Sequence, residues 1–506
     1  MEIIARFGIF ETALTVDKAQ APVAYSAEFA HSGMRVTVPA FRDGDDRYLV
    51  RFMPCETGEW SYTIRLGDAS SSGTFECVDT GLHGPVMADG THFRHADGKR
   101  YLPFGTTCYA WTHQPQEQQD QTLQTLKTSP FNKIRMCIFP KSMPYNNNEP
   151  ELFPFHKGKD RKWDVNRPDE HYWRHLDKRI AQLSELGVEA DLILFHPYDR
   201  WGFAGLSQEE SLTYLEYCVV RLGAHHNVWW SLANEFDLLP SKKQKDWEEY
   251  AELIGRRDSY CHLLSIHQCI KFYPKRDWMT HCSIQSGDLC RIPEWREEYN
   301  LPMIIDECGY EGDIEYSWGN LSAFKMAHRF WYSVTKGTYC THGETFHRED
   351  EVLWWAKGGV LHGESAPRIR FLRQVLESLP ESGAPLVRRI ITDPNDSVEN
   401  AGQETHPIVK VMSELTDAER KYWKLRFTPN IIAGKDFRLE YLGYQCRSVT
   451  TLDLPEGGKY RVEVLDIWEM TRTTETEGAY GQTRIHLPGK EGIAILTTRL
   501  KGEGLE

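Results

Sequence analysis

The chain has 506 residues, 40% of them hydrophobic and 26% charged, with a formal net charge of -14 at pH 7. That length exceeds a single core and points to about two to four domains, and the composition excludes a disordered or low-complexity chain. The acidic balance excludes a general affinity for nucleic-acid phosphates or anionic membrane surfaces, so a neutral or weakly charged partner is expected.

The first residues, Met-Glu-Ile-Ile-Ala-Arg-Phe-Gly, carry no basic segment followed by an apolar run, and no apolar stretch is long enough to cross a bilayer. The expectation is an intracellular, cytoplasmic protein. Its 12 cysteines are scattered without a C-x-x-C pair. Cys108, Cys137, Cys269, Cys282, Cys308 and Cys340 lie in apolar strand-like runs and read as reduced core residues rather than as disulfides or a metal set.

Residues 1–83 alternate apolar and polar positions in short runs, as in Met34-Arg-Val-Thr-Val38 and Arg47-Tyr-Leu-Val-Arg-Phe52, broken by the turn cluster Asp43-Gly-Asp-Asp46. A period of two places Trp60, Tyr62 and Ile64 on one face and predicts an N-terminal antiparallel β-sandwich. From 84 to 380 strands alternate with helices, the pattern of a parallel sheet covered by crossover helices. The predicted strands run from Tyr101 to Ala110, Lys133 to Phe139, Ala190 to Phe195, Val228 to Ala233, Leu263 to Gln268, His281 to Gln285, Pro302 to Asp306 and Gly337 to His342.

Between them, Trp173, Leu176, Ile180 and Leu183 recur at helical spacing before Gly187, as do Leu212, Leu215, Val219 and Leu222. Trp247 to Ile254 is a further helix, and Ile369, Leu372, Val375 and Leu379 mark the last one. Eight alternations in this length match one (β/α)8 TIM barrel. A doubly wound open sheet is the alternative, but no G-x-G-x-x-G follows the first strand. From 381 to 506 β character returns, in Tyr460-Arg-Val-Glu-Val-Leu-Asp-Ile-Trp468 and Gly492-Ile-Ala-Ile-Leu-Thr-Thr498, and predicts a C-terminal antiparallel β-sandwich. Asp393-Pro-Asn-Asp-Ser-Val398 reads as a surface loop.

In such a barrel, polar residues that follow the apolar strand cores gather at the C-terminal rim, where barrel enzymes place their chemistry. Strand four ends Trp229-Trp-Ser-Leu-Ala-Asn-Glu-Phe-Asp237 and strand seven ends Met303-Ile-Ile-Asp-Glu-Cys-Gly309, which puts Glu235 and Glu307 at that rim. Cleaving an acetal requires a proton for the leaving oxygen and a carboxylate facing the anomeric carbon. A glutamate after a strand is, taken singly, more often a structural acid; two on strands four and seven make the stronger signal.

At these residues the chain resembles the clan A glycoside hydrolases, whose barrels carry Asn-Glu at the end of strand four and Glu at the end of strand seven. The resemblance implies Glu235 as acid/base, Glu307 as nucleophile, Asn234 as partner of the hydroxyl next to the anomeric carbon, and retention of configuration. More closely, the chain is similar to the apiosidase-like glycosidases, which join an N-terminal β-sandwich, a barrel and a C-terminal β-sandwich. The matching pieces are Phe104-Gly-Thr-Thr-Cys-Tyr-Ala-Trp111, Phe195-His-Pro-Tyr-Asp-Arg-Trp201, Ser265-Ile-His-Gln268, Gln285-Ser-Gly287 and Thr341-His-Gly-Glu-Thr345. Strand six lacks the Tyr that many clan A members place beside the nucleophile. The support of Glu307 then falls to Arg135, a charge inside the apolar strand Lys133-Ile-Arg-Met-Cys137 that needs an anion nearby, with a purely structural ion pair as the alternative.

His196, Asp199, His267, Gln285, His342 and Glu344 follow strand cores and can hydrogen-bond sugar hydroxyls, with two of the six expected to be structural. No metal or cofactor is called for, since no H-E-x-x-H or Cys/His cluster is present. Trp111, Trp201, Trp354 and Trp355 can floor a sugar subsite or simply pack. The polar segment from Tyr145-Asn-Asn-Asn-Glu-Pro150 to Trp163 follows strand two and reads as a lid or subsite wall, which favours release of terminal sugars from oligosaccharides or small glycosides. The competing readings are a transglycosylase on the same fold, a non-catalytic carbohydrate-binding barrel and a metal-dependent barrel hydrolase. Exposed apolar faces on the sandwiches would suit a homo-oligomer.

Overall fold

The computed structural model describes residues 1–15, 25–66, 69–379, 407–455 and 457–500. The expected loop over 393–398 and the expected boundary at 380/381 lie outside the described residues. The chain falls into two compact units, residues 1–285 with 347–361, and residues 286–346 with 362–506.

The first unit opens with two sheets. Glu2–Ala5, Ala69–Val78, Gly58–Leu66, Ser26–His31 and Met34–Pro39 pair in that order, and Phe10–Thr15, Arg47–Phe52 and Phe41–Arg42 form the second sheet. All pairs are antiparallel except Glu2–Ala5 with Ala69–Val78, which is parallel. Alternation buries Phe10, Phe29, Phe52, Trp60, Ile64 and Phe75 in one core between the sheets. Tyr62, on the same face as Trp60 and Ile64, lies over Gly73, where a Cβ would come within 2.5 Å of its hydroxyl.

Eight parallel strands nearly close into a barrel. They are β1 (Phe104–Thr107), β2 (Lys133–Cys137), β3 (Glu189–Phe195), β4 (Val228–Ala233), β5 (Leu264–Ser265), β6 (Cys282–Gln285), β7 (Met303–Glu307) and β8 (Tyr339–His342). Six belong to the first unit, and β7 and β8 to the second. The first predicted strand is shorter than expected. Arg100–Tyr101 pairs instead with His92–His95 in a separate antiparallel sheet, and Pro103, which has no N–H to donate, separates it from β1. Strands β5 and β6 meet only in the bridge His267–Ser283.

At the N-terminal ends of these strands, Trp229 packs against Phe93, Tyr101 and His281 at ring distances of 5.3, 5.9 and 5.3 Å.

The helix stripes fold as their spacing dictates. Helix α1 (Glu170–Glu185) buries Trp173, Leu176, Ile180 and Leu183 and starts at Asp169, whose carboxylate accepts from the His171 and Tyr172 N–H groups. Helix α2 (Gln208–Leu222) begins with a reciprocal capping box between Ser207 and Glu210. A buried ion network joins the sandwich segment to both helices. Arg221 pairs with Asp43 at 2.9 Å and with Asp177 at 2.7 Å, and Arg51 reaches Asp177 at 2.8 Å.

The second unit ends in β structure but not directly. Helices α3 (Pro407–Glu414) and α4 (Asp417–Phe427) precede it, where the sequence pattern had suggested strands from 381 onward. Five strands (Ile431–Ala433, Phe437–Tyr441, Ile493–Arg499, Tyr460–Asp466, Thr471–Ala479) form an antiparallel sheet, and Val449–Asp453 pairs with Gln482–His486. Leu452, Val462, Ile485, Ile493 and Ile495 are buried in their common core. Among the described residues, no helix is long and apolar enough to cross a membrane.

Candidate active site

Strand β4 runs into Asn234 and Glu235, 1% and 4% exposed. Asn234 still hydrogen-bonds as a strand residue, donating its N–H to the Phe195 carbonyl at 2.9 Å. Glu235 breaks away with φ 55° and ψ 58°, a left-handed conformation that costs a side-chain-bearing residue about 1 kcal/mol. The surroundings impose it. Its N–H donates to His267 Nδ1 at 3.4 Å, and the Phe236 N–H donates to the His267 carbonyl at 2.9 Å. The next acid, Asp237, accepts from the N–H groups of Cys269, Ile270 and Lys271 at 2.7, 2.8 and 2.8 Å, tying the loop after β4 to the loop after β5.

The side chains are positioned as closely. Asn234 Oδ1 accepts from the Tyr109 hydroxyl at 3.1 Å and from Arg135 Nη2 at 3.3 Å. The orientation of its amide NH2 is thereby fixed, because both contacts go to the oxygen. Arg135 is fully buried in β2 and also lies 3.6 Å from Asp191, which pairs with Lys133 at 2.7 Å. The Tyr198 hydroxyl donates to Glu235 Oε2. Lys141, 2% exposed, stands over the Tyr109 ring at 3.3 Å and the Tyr198 ring at 4.5 Å.

In the second unit, Glu307 is the last residue of β7, 9% exposed, and its carbonyl accepts from the Ser286 N–H at 2.8 Å. Its neighbour Asp306 accepts from the Thr341 hydroxyl at 2.7 Å, which fixes β7 against β8. The chain then turns at Gly309, φ 85°, where a Cβ would meet the Trp318 carbonyl at 3.2 Å. Cys308 Sγ lies 3.7 Å from Cys340 Sγ, both free thiols.

The other expected site residues divide by what occupies their polar atoms. His196 is bound through Nε2 to the Phe139 carbonyl at 3.2 Å, and burial pushes its pKa down to about 3. Asp199 shapes a turn, accepting from Trp201 and Ala204 N–H groups at 2.7 and 2.6 Å. His267 carries the acid loop as described. Gln285 ends β6 half-buried, and its carbonyl accepts from Gln268 Nε2 at 3.2 Å.

His342 ends β8, fully buried, with burial pushing its pKa down to about 3. Glu344 accepts from the His362 and Gly363 N–H groups at 2.5 and 2.9 Å. Burial and the facing Glu311 push it up to about 7.

Among the tryptophans, Trp111 donates to Met136 Sδ at 3.4 Å and Trp354 to the Thr106 hydroxyl at 2.8 Å, and both are at most 1% exposed, so their rings serve packing. Trp355 sits edge-on to Tyr109 at 6.2 Å, and its carbonyl accepts from the Tyr109 N–H at 3.0 Å. Trp201, half-buried, donates to Glu149 at 3.0 Å, and Arg200 pairs with the same carboxylate at 2.8 Å. These contacts pin the long segment after β2 to the loop after β3.

Among the described residues, two groups of side chains have ligand-type atoms within 4.8 Å of one another: His156, Asp169 and Glu170, half-exposed, and Glu311, His342 and Glu344, buried. The second group already engages backbone donors, since Glu311 accepts from the Glu364 N–H at 2.8 Å and from the Ser365 hydroxyl.

Sequence reasoning missed Tyr109, Tyr198 and Lys141. Each follows a strand core by a few residues and so carried the same rim signal as the residues it found. Tyr109 and Tyr198 even stand inside the quoted motifs.

Comparison with known proteins gives this geometry a family. The family described as Apiosidase-like, catalytic domain matches residues 87–381, with domains of unknown function DUF5060 at 4–67 and DUF5605 at 423–498. Among solved structures, the chain is similar to a candidate glycoside hydrolase from Bacteroides vulgatus ATCC 8482, at 33% identity and a TM-score of 0.86, over 99% of this chain and 100% of that one. A glycoside hydrolase family 5 structure from the same organism shares the fold, at 14% identity and a TM-score of 0.59, over 82% of this chain and 94% of that one. Among curated proteins, none matches. Matched along more than half of its length, the chain belongs to the Apiosidase-like family and is a glycoside hydrolase.

Proposed function

We propose that this hydrolase works by double displacement with retention, with Glu307 as nucleophile and Glu235 as acid/base, and that it releases terminal sugars from oligosaccharides or small glycosides. Glu307 attacks the anomeric carbon while Glu235 protonates the departing oxygen. The glycosyl-enzyme ester on Glu307 is then opened by a water from which Glu235 takes the proton. Asn234, its oxygen engaged by Tyr109 and Arg135, presents its NH2 to the hydroxyl next to the anomeric carbon. Trp355, His267, Gln285 and His342 complete the sugar contacts.

The observation that carries this reading is the strained backbone of Glu235 next to Asn234, a buried glutamate held left-handed by hydrogen bonds to His267. The tethered segment after β2 supports a closed, terminal-sugar pocket. Division into domains at 1–83, 84–380 and 381–506 belongs to the same proposal. So does a reducing intracellular setting, supported by twelve free cysteines.

Nitrophenyl pyranosides and furanosides provide the test. Glu307→Gln should abolish turnover, with residual rates at least about 10⁴-fold down. Glu235→Ala should spare substrates with good leaving groups and gain rate with azide, giving a glycosyl azide of retained configuration. Full activity in Glu307→Gln, or an azide product of inverted configuration, would sink the assignment.

A further inference from the structure

We infer that Tyr198 is the positioning residue of the acid/base carboxyl and that Lys141, held between two tyrosine rings, sets both Tyr198 and Tyr109 for their partners. The inference rests on the assignment of Glu235 as acid/base.

A carboxyl that donates a proton in one step and removes one in the next must keep the same oxygen towards the reacting bond. Here the Tyr198 hydroxyl donates to Oε2. A proton on Oε2 would face that donor, so the exchangeable proton belongs on Oε1. A phenol can also accept, which would allow the proton onto Oε2 if the hydroxyl turned. Lys141 opposes that turn. Its ammonium, 4.5 Å from the Tyr198 ring centre, draws electron density from the phenol and makes it a better donor and a poorer acceptor.

The same ammonium lies 3.3 Å from the centre of the Tyr109 ring, whose hydroxyl donates to Asn234. One buried cation therefore braces two phenols, one on each member of the Asn234-Glu235 pair. The backbone agrees with this arrangement: the Ser142 N–H donates to the Tyr198 carbonyl at 2.9 Å, joining the loop that carries Lys141 to the loop that carries Tyr198.

Within the first unit, the charged or titratable groups facing this pair are Tyr109 from the end of β1, Arg135 and Lys141 from β2 and its loop, Tyr198 from the loop after β3 and His267 from the loop after β5.

The experiment measures kcat and kcat/KM against leaving group for Tyr198→Phe, Lys141→Met and Lys141→Arg in the full chain. For Tyr198→Phe, kcat/KM should fall about tenfold on glycosides with poor leaving groups and less than about threefold on dinitrophenyl glycosides, which need little acid assistance. Lys141→Met should show the same dependence on leaving group with a smaller loss, and Lys141→Arg should restore the wild-type rates.

Equal losses across leaving groups in Tyr198→Phe overturn the inference. If that variant folds poorly, the pair of Lys141 variants decides, and identical rates in Met and Arg overturn it. Azide rescue of Glu235→Ala separates the two levels. Rescue alongside equal losses across leaving groups in Tyr198→Phe removes Tyr198 and keeps Glu235, whereas no rescue removes the role of Glu235 and this inference with it.

Discussion

Asp177 and Glu344 are both carboxylates shut away from water, and burial pushes each towards the neutral acid. They end in opposite states. Asp177 lies between Arg51 and Arg221, with His225 at 3.5 Å, and these neighbours overcome burial to hold it well below the usual carboxylate range. Glu344 accepts two backbone N–H groups and stands in strand register with Glu311, and no ion pair reaches it among the described residues. Burial therefore prevails, with repulsion from Glu311 added, and the group reaches about 7. The same desolvation yields a permanent anion in one region and a proton reservoir in the other, according to whether guanidiniums share the site.

The largest test of this contrast is Asp177→Ala, which leaves two buried guanidiniums without their shared carboxylate. It should cost about 3–5 kcal/mol at pH 7, read from the shift of the urea midpoint. A loss below about 1 kcal/mol would show that Asp43 suffices for Arg221 and Glu11 for Arg51.

Glu344→Gln is next. Its folded pKa of about 7 lies above the ordinary 4.5, so the native state binds the proton more tightly and stability falls as pH rises between those values. By pH 8 the wild type should have lost at most ~3 kcal/mol through this group. The glutamine variant should lack that slope, gaining on the wild type from pH 5 to pH 8, and an unchanged slope would place the proton elsewhere. Asp177 runs the other way, its contribution being complete above about pH 4 and lost as pH falls.

The smallest effect belongs to an exposed pair, Arg373 with Glu377 at 2.7 Å, one helical turn apart. Glu377→Ala should change stability by no more than about 0.5 kcal/mol, and less in high salt.

What the sequence made legible were the features set by local periodicity. The core of β4 is bounded as its apolar run predicts, and Asp169 and Gly187 bracket α1 as cap and stop. The rim rule singled out Glu235 and Glu307 because each stands two residues past an apolar run, behind Asn234 and Asp306. It also admitted residues that the loops then absorbed, and spacing could not separate Asp199, which shapes a turn, from Tyr198 beside it, which touches Glu235.

Tertiary arrangement hid the rest. Lys141 reads as a solvated loop charge until the rings of Tyr109 and Tyr198, 32 residues before it and 57 after, are brought around it. Asp43 and Arg221 meet across 178 positions, a separation at which no periodicity survives. The helix over 407–414 was missed because its run Pro-Ile-Val-Lys-Val-Met-Ser-Glu is apolar and β-branched enough to read as a strand, and the one over 417–427 was missed although Thr416 and Glu419 form a capping box at its start.

The left-handed backbone at Glu235 has a practical consequence for anyone who wishes to improve this protein. Position 235 is one that glycine or asparagine would occupy more comfortably than glutamate, so the fold gains from the substitution that its chemistry cannot tolerate. Directed evolution scored on heat resistance alone is therefore open to reaching a sturdier chain that has stopped working, and each round must be screened for turnover as well as for survival.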